Sequence, residues 1–372
     1  MLRLNFQGGT FISSKDNYGY QEVLDDFINA KKIRIVTYNI STKNNDYLLQ
    51  ILKNVDKDCD VQFITNIPSR VETYLNNPKG DAWRSNASKN INSYLTKLNP
   101  ETFDGPIIPF FNFHNHSKII GTENKVYIGS ENYSVESKKN YEAGVIIDDK
   151  QFIKELYKWF FDKLRDESVP YFNDDYNQLR LFTLSILTRL ITCYEHFMES
   201  LFRTRNGGEA VFINEETTFN EDDLYELLHT FQELSDIQGL IENIEPIDEE
   251  LNDTLEQLLE LFEDMPINNI VEFLAIDGPI YEYIMFDLNE KTLDIFQDEY
   301  NSIADDGEKL EYYMEISSDE ANDRLIDICN EVESDLYSVR SDFERIIEGV
   351  AKMDEIIKET AKHAVNSLID NT

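Results

Sequence analysis

His114-Asn115-His116-Ser117-Lys118-Ile119-Ile120-Gly121-Thr122-Glu123-Asn124-Lys125-Val126-Tyr127-Ile128-Gly129-Ser130-Glu131-Asn132 is the stretch on which the fold turns. Side chains two apart on a strand share a face, so a strand through this region puts His116 and Lys118 together. Glu123-Asn124-Lys125 reads as a hairpin turn. The return strand Val126 to Ile128 then brings Gly129, Ser130 and Asn132 back beside the first pair. An imidazole, an ammonium, a hydroxyl and a carboxamide converge in one patch. A phosphodiester needs such a set. Imidazole can attack phosphorus and carry a covalent intermediate, while Lys118 and Asn132 can donate to the non-bridging oxygens where charge accumulates. Gly129 would let backbone approach the phosphate. No metal or other cofactor is expected.

The spacing His116-x-Lys118-x4-Glu123, then Gly129-Ser130-x-Asn132, resembles the signature of the phospholipase D superfamily. Asn140-x-Glu142-x-Gly144 resembles the segment that supplies an acid supporting the histidine in that family. The resemblance marks His116, Lys118 and Asn132 as the central site residues, with Ser130, Glu142 and Glu123 beside them. Glu123 stands where the family carries aspartate; the longer carboxylate is expected to keep an orienting or ion-pairing part. The family mechanism uses two histidines from two copies of the motif. In this chain His196, His229 and His363 are not followed by x-Lys, and His114-x-His116 is not a second copy. The resemblance therefore implies a homodimer joined through the catalytic domain, with two His116 side chains facing one another. His114 is assigned to packing or support, and the other three histidines to helices.

Outward from the motif, Lys32 to Ile40 reads as a β-branched strand and Asp46 to Val55 as a helix. Asp60 to Ile67 is a second strand, stopped by Pro68, and a helix follows from about Ala82 to Leu98. Pro106 to Phe113, Ser117 to Gly121, Lys125 to Ile128 and Ala143 to Ile147 are successive strands, closed by a helix from Lys150 to Arg165. Strands alternating with helices give an α/β phospholipase D-like N-terminal domain, a mixed sheet flanked by helices, over residues 1–168. After Val169-Pro170 apolar residues recur at three and four. Helices are expected over Asn177–Phe202, Glu221–Leu234, Asp248–Phe262, Ile280–Glu299, Asp319–Leu336 and Val339–Ile369. Gly207-Gly208 and Asp305-Asp306-Gly307 read as turns between helices. Residues 169–372 are expected to be an all-α acidic domain.

The charge is as uneven as the texture. Residues 1–168 balance 22 basic against 22 acidic residues, so the whole net charge of -38 falls on the second half. That half repels bare phosphate backbones, and phosphodiester chemistry belongs to the neutral half. The acidic half is expected to regulate, to dock a basic protein partner or to cover the site. Cys59, Cys193 and Cys329 are too few and too far apart for a zinc site and read as reduced thiols. No apolar run of about 18 residues spans a membrane, and Met1 to Gly9 lacks the apolar core of a signal peptide, so a cytoplasmic location is expected. The 20 Tyr and 23 Phe are assigned to cores rather than to base stacking.

These readings converge on a phosphodiesterase acting as an endonuclease on nucleic acid, DNA ahead of RNA. Fusions of this kind resemble bacterial restriction or antiviral-defence effectors, an analogy of architecture. A phospholipase or phosphatidyl transferase is the alternative; such members carry two motifs per chain, and an acidic surface is repelled by anionic membranes. A non-catalytic scaffold working through its acidic helices is the third reading.

Overall fold

The β-branched run Lys32–Thr37 becomes a strand buried on both faces, and the sheet of the first half grows outward from it. A computed structural model describes residues 1–6, 8–41, 46–68, 86–171, 175–205, 210–213, 215–246, 248–275, 278–300 and 307–370. Contacts divide the chain into two units, Met1–Ser185 and Ile186–Thr372, and the division falls inside the helix Asp175–Leu201.

The first unit holds β1 (Leu2–Phe6), β2 (Gly9–Ser14), β3 (Lys32–Thr37), β4 (Asp60–Thr65), β5 (Ile107–Phe111), β6 (Ile119–Thr122), β7 (Val126–Gly129), β8 (Glu142–Ile147) and β9 (Val169–Pro170). They form one sheet in the order β1-β2-β8-β7-β6-β3-β4-β5-β9. β3, β4 and β5 run parallel; the other pairings are antiparallel. The register decides where chemistry can sit. Val36 pairs Ile119, Ile119 pairs Ile128, Gly129 pairs Gly144 and Glu142 pairs Ser14. The carboxyl ends of β2, β3, β4, β5 and β7 therefore meet the amino ends of β6 and β8 along one edge. Open α/β sheets place their sites at such an edge.

Val36, Ile64, Ile119 and Val126 line one face of the sheet and pack on Ile153, Tyr157 and Phe161 of the helical segment 150–166. Burying each such side chain contributes about 1.5–3 kcal/mol. On the opposite face Phe63 meets Tyr133, whose hydroxyl donates to Leu48 O in the helix Tyr47–Lys53. The helix Asn86–Lys97 was expected from about Ala82; residues 82–85 lie outside the described residues.

Two features of this sheet depart from the sequence reading. The hairpin β1–β2 was not anticipated. Its alternating Leu2, Leu4 and Phe6 are 53, 55 and 50% exposed, so they mark no core face. His116 and Lys118 lie just ahead of β6, which starts at Ile119. The Lys118 carbonyl still accepts from Gly129 N–H at 3.2 Å, which holds this stretch against the end of β7.

The second unit contains helices Glu221–Leu234, Asp236–Glu242, Glu249–Glu263, Ile267–Phe273, Pro279–Ile284 and Leu288–Ile295, with Gly307–Asp370 as one long helix. A short hairpin, Phe202–Thr204 with Ala210–Phe212, interrupts the helical pattern. The expected separate helices 319–336 and 339–369 are continuous, because Ser338 offers nothing that breaks a helix. Ala321, Leu325, Cys329, Val332, Leu336, Val339, Phe343, Ile346, Val350, Met353 and Ile357 form its buried stripe at spacings of three and four. Inside the unit Arg189 is buried and pairs with Glu233, Thr230 and His229. His196 pairs with Asp223 at 3.1 Å, and the His363 side chain lies outside the described residues. Gly207-Gly208 and Asp305-Asp306 also lie outside them.

Gly129 has a structural reason to be glycine. A Cβ there would overlap the Tyr127 hydroxyl and stand 2.6 Å from the Ala143 carbonyl oxygen, and one at Gly144 would stand 2.5 Å from the Tyr127 ring. Gly129→Ala should lower unfolding stability by about 1–3 kcal/mol, read as a reduced urea midpoint with an unchanged slope.

Candidate active site

Three asparagines build the platform under His116. Asn112 N–H donates to Thr65 O at the end of β4, and Asn112 Oδ1 accepts from His114 N–H at 3.1 Å. Asn66 Nδ2 donates to Phe113 O at 2.9 Å and to Asn115 O at 3.3 Å. Asn115, 3% exposed, donates from Nδ2 to Thr37 O at 2.8 Å and accepts from Ser117 N–H at 3.0 Å. The turn after β5 is thereby tied to the carboxyl ends of β3 and β4. His114 is exposed in that turn, and His116 emerges from it exposed to solvent.

The His116 ring packs on Tyr38, their centroids 4.6 Å apart. Lys118 Nζ stands 3.1 Å from His116 Nδ1, 2.7 Å from His116 O and 5.4 Å from the Tyr38 ring centre. An ammonium has no lone pair, so it donates to Nδ1, and the neutral ring carries its proton on Nε2. Partial burial, with Lys118 adjacent, lowers the His116 pKa below the ordinary histidine value. Burial also lowers the Lys118 pKa, partly opposed by Glu142. Loss of solvent leads both shifts, and the neighbouring ammonium adds to the lowering only at His116.

Asn132 completes the patch through Tyr38. Its Oδ1 accepts from Tyr38 N–H at 3.2 Å and lies 3.4 Å from Thr37 Oγ1, which leaves Nδ2 as the donor end. Tyr38 therefore touches His116 with its ring and Asn132 with its backbone. Sequence reasoning missed Tyr38; the available signal was its place directly after β3, at the carboxyl edge of a parallel strand. Ser130 is exposed at the end of β7. Its hydroxyl donates to Glu142 Oε2 and accepts from Ala143 N–H at 3.1 Å. Glu142, which the family resemblance offered as support for the histidine, is thus bonded to Ser130, while Lys118 occupies His116 Nδ1.

Glu123 does not join this group. It lies in the β6–β7 turn, at the opposite end of β6 from His116. Its carboxylate accepts from Lys31 N–H at 3.1 Å and Lys32 N–H at 3.0 Å, anchoring the start of β3. The structure thus brings together His116, Lys118, Asn132, Ser130 and Glu142 and sets Glu123 apart. A carboxylate that sequence reasoning passed over, Glu131, is fully buried behind the motif. Its Oε2 accepts from Gly19 N–H at 2.7 Å, and burial pushes its pKa up to about 7.

Residues 24–164 match the family described as "Cardiolipin synthase, PLD-like domain". The chain carries a domain of the phospholipase D superfamily over this segment. No curated protein matches it. Among solved structures, it is similar to Nuc from Salmonella typhimurium, a phospholipase D family member, at 19% identity and a TM-score of 0.30, covering 43% of this chain and 95% of that one. It is similar to NucT from Helicobacter pylori at 16% identity and a TM-score of 0.29, covering 43% and 99%. It is also similar to TrmBL2, an archaeal chromatin protein, at 13% identity and a TM-score of 0.26, covering 43% and 53%. Among the described residues no helix is long and apolar enough to cross a membrane.

Two titrations check the electrostatics. The His116 ring should titrate by NMR below the ordinary histidine midpoint of about 6.5, and Lys118→Met should raise that midpoint by removing the adjacent charge. For Glu131 the folded carboxyl holds its proton to about pH 7, above the ordinary value of 4.5. The folded state then binds more protons than the unfolded chain between those values, so stability falls as pH rises through that window. Glu131→Gln should flatten that fall, which amounts to roughly 3 kcal/mol by the same linkage, in urea unfolding at pH 5 and pH 8.

Proposed function

We propose that this chain is a metal-independent phosphodiesterase, and specifically an endonuclease that works through a phosphohistidine in a homodimer. The observation that carries the reading is the exposed His116 with Lys118 on its ring nitrogen, beside Asn132, at one edge of a phospholipase D-like sheet. A bound phosphodiester offers Lys118 a better partner than Nδ1. As the ammonium turns to a non-bridging oxygen, Nδ1 takes the ring proton and Nε2 gains a free lone pair. The depressed pKa keeps that ring neutral near pH 7.

His116 Nε2 then bonds to phosphorus while the bond from phosphorus to the leaving oxygen breaks. A symmetry-related His116, protonated because the negative charge of the bound diester favours its imidazolium form, gives its proton to that oxygen. The same ring next takes a proton from water, the water oxygen bonds to phosphorus, and the phosphorus–nitrogen bond breaks. Lys118 and Asn132 Nδ2 stabilise the charge on the non-bridging oxygens throughout. Ser130 and Glu142 hold the ends of β7 and β8 beside them. One His-x-Lys per chain supports the dimer, since the second histidine has to come from another copy. In this reading residues 1–168 are the catalytic domain, and the acidic residues 169–372 regulate it or dock a basic protein in the cytoplasm, as in a defence effector.

The test is cleavage of DNA and RNA by the purified full chain in EDTA. DNA should be cut, His116→Ala should lower the rate by at least about 10³-fold, labelled substrate should leave phosphate on His116, and the solution mass should be that of a dimer. No cleavage at any salt or pH would end the nuclease reading, and headgroup release from phosphatidylcholine vesicles would move it to lipids.

A further inference from the structure

The aromatic residues are largely interior, yet Tyr141 is 80% exposed. It directly precedes β8 and Glu142, whose carboxylate accepts from Ser130 in the site. Lys15, directly after β2, sets its Nζ 4.6 Å from the centre of the Tyr141 ring. Lys138 and Lys139 are exposed on the same loop as Tyr141, and Lys138 Nζ lies 5.7 Å from the Tyr18 ring centre. Acidic groups nearby include Asp16 and Glu142, and Asp46, Glu131 and Glu136 act on Tyr18.

These residues are held in place. Asp16 adopts a left-handed backbone, φ 64°, which aspartate tolerates better than most side chains, and its N–H donates to Lys138 O at 2.6 Å. Gly19 N–H donates to Glu131 at 2.7 Å, and the Tyr20 hydroxyl donates to Asn132 O at 3.1 Å. The loop after β2 is thus tied at three points to the loop that carries Ser130, Asn132 and Tyr141. The hairpin that delivers Lys15 precedes residue 24, where the family match begins.

Adjacent strands are about 4.8 Å apart, so β8 and β2 lie roughly 10 and 14 Å across the sheet from the His116 end of β6. Neighbouring nucleotides of a strand held at His116 span that reach. An exposed ring beside lysines suits a base face with a flanking phosphate, and a base reaches such a ring only when it is unstacked from a duplex. We propose that Tyr141 and Lys15, with Lys138 and Lys139, form a subsite for an unpaired base and adjoining phosphate of a single-stranded polynucleotide. The proposal rests on the nuclease reading above and narrows its substrate class.

The test uses the full chain carrying His116→Ala, in EDTA, with fluorescein-labelled oligothymidylate and a duplex of the same length, read by anisotropy. The single strand should bind more tightly than the duplex, and Tyr141→Ala or Lys15→Ala should each weaken it about tenfold. Tyr141→Trp should retain binding, and its added indole emission should be quenched by the oligonucleotide. Equal affinity for strand and duplex, unchanged binding in Tyr141→Ala, or no quenching in Tyr141→Trp would overturn the subsite. So would a Tyr141→Ala effect confined to phosphatidylserine vesicles, or conversion of a dimer to monomers by that substitution. Binding and quenching without cleavage by the unsubstituted chain would keep the subsite and remove the nuclease; cleavage with unaltered binding in Tyr141→Ala would do the reverse.

Discussion

The buried carboxamide of Asn115 is the constraint on which the site depends. It donates to the last carbonyl of β3 and accepts the amide of Ser117, so the backbone on both sides of His116 is bound to the sheet edge. Asn66 and Asn112 do the same for the turn before it. A buried backbone group left unsatisfied costs about 1–3 kcal/mol, and these side chains meet that demand where the strand ladder ends. His116 consequently projects from a backbone anchored on both sides while its side chain remains exposed.

The electrostatics around that ring follow from who can reach it. Lys118 leaves the backbone two residues on and folds back onto Nδ1 and the His116 carbonyl. Glu142 enters from β8, across β7, and meets Ser130 first. The free site therefore holds an imidazole with a lowered pKa beside an ammonium, the pair that the proposed mechanism has a phosphodiester separate. Glu131 shows the same sheet edge from behind: a carboxylate buried to hold Gly19 keeps its proton to about pH 7 because little there solvates its charge. The loop after β2 depends on that contact, so the positions of Lys15 and Tyr141 are coupled to the motif itself.

Charge separates the two halves more sharply than any single motif. The sheet half is neutral and the helical half carries the entire excess of -38. The buried stripe of the long helix, from Ala321 to Ile357, needs apolar residues only at every third or fourth position. The remaining positions are free to be acidic, which is how a stable helical unit can carry so much charge.

The order of residues from Lys32 to Ile147 determined most of the strands, because β-branched runs and turn residues act locally, and the spacing of His116, Lys118, Ser130 and Asn132 singled out side chains that the fold gathers at one sheet edge. Glu221–Leu234 and the helix near Glu249–Glu263 were equally legible from apolar periodicity. Tertiary structure decided the rest. β1–β2 carries exposed apolar residues and gains its place only by pairing with β8, which lies far along the chain. Tyr38 becomes a neighbour of His116 because β6 runs antiparallel to β3, a register that pairs Val36 with Ile119. Glu123, inside the motif by spacing, is carried to the far end of β6 by the length of that strand. Sequence fixes which groups are available and how far apart they lie along the chain, while the pairing of distant strands fixes which of them share an edge.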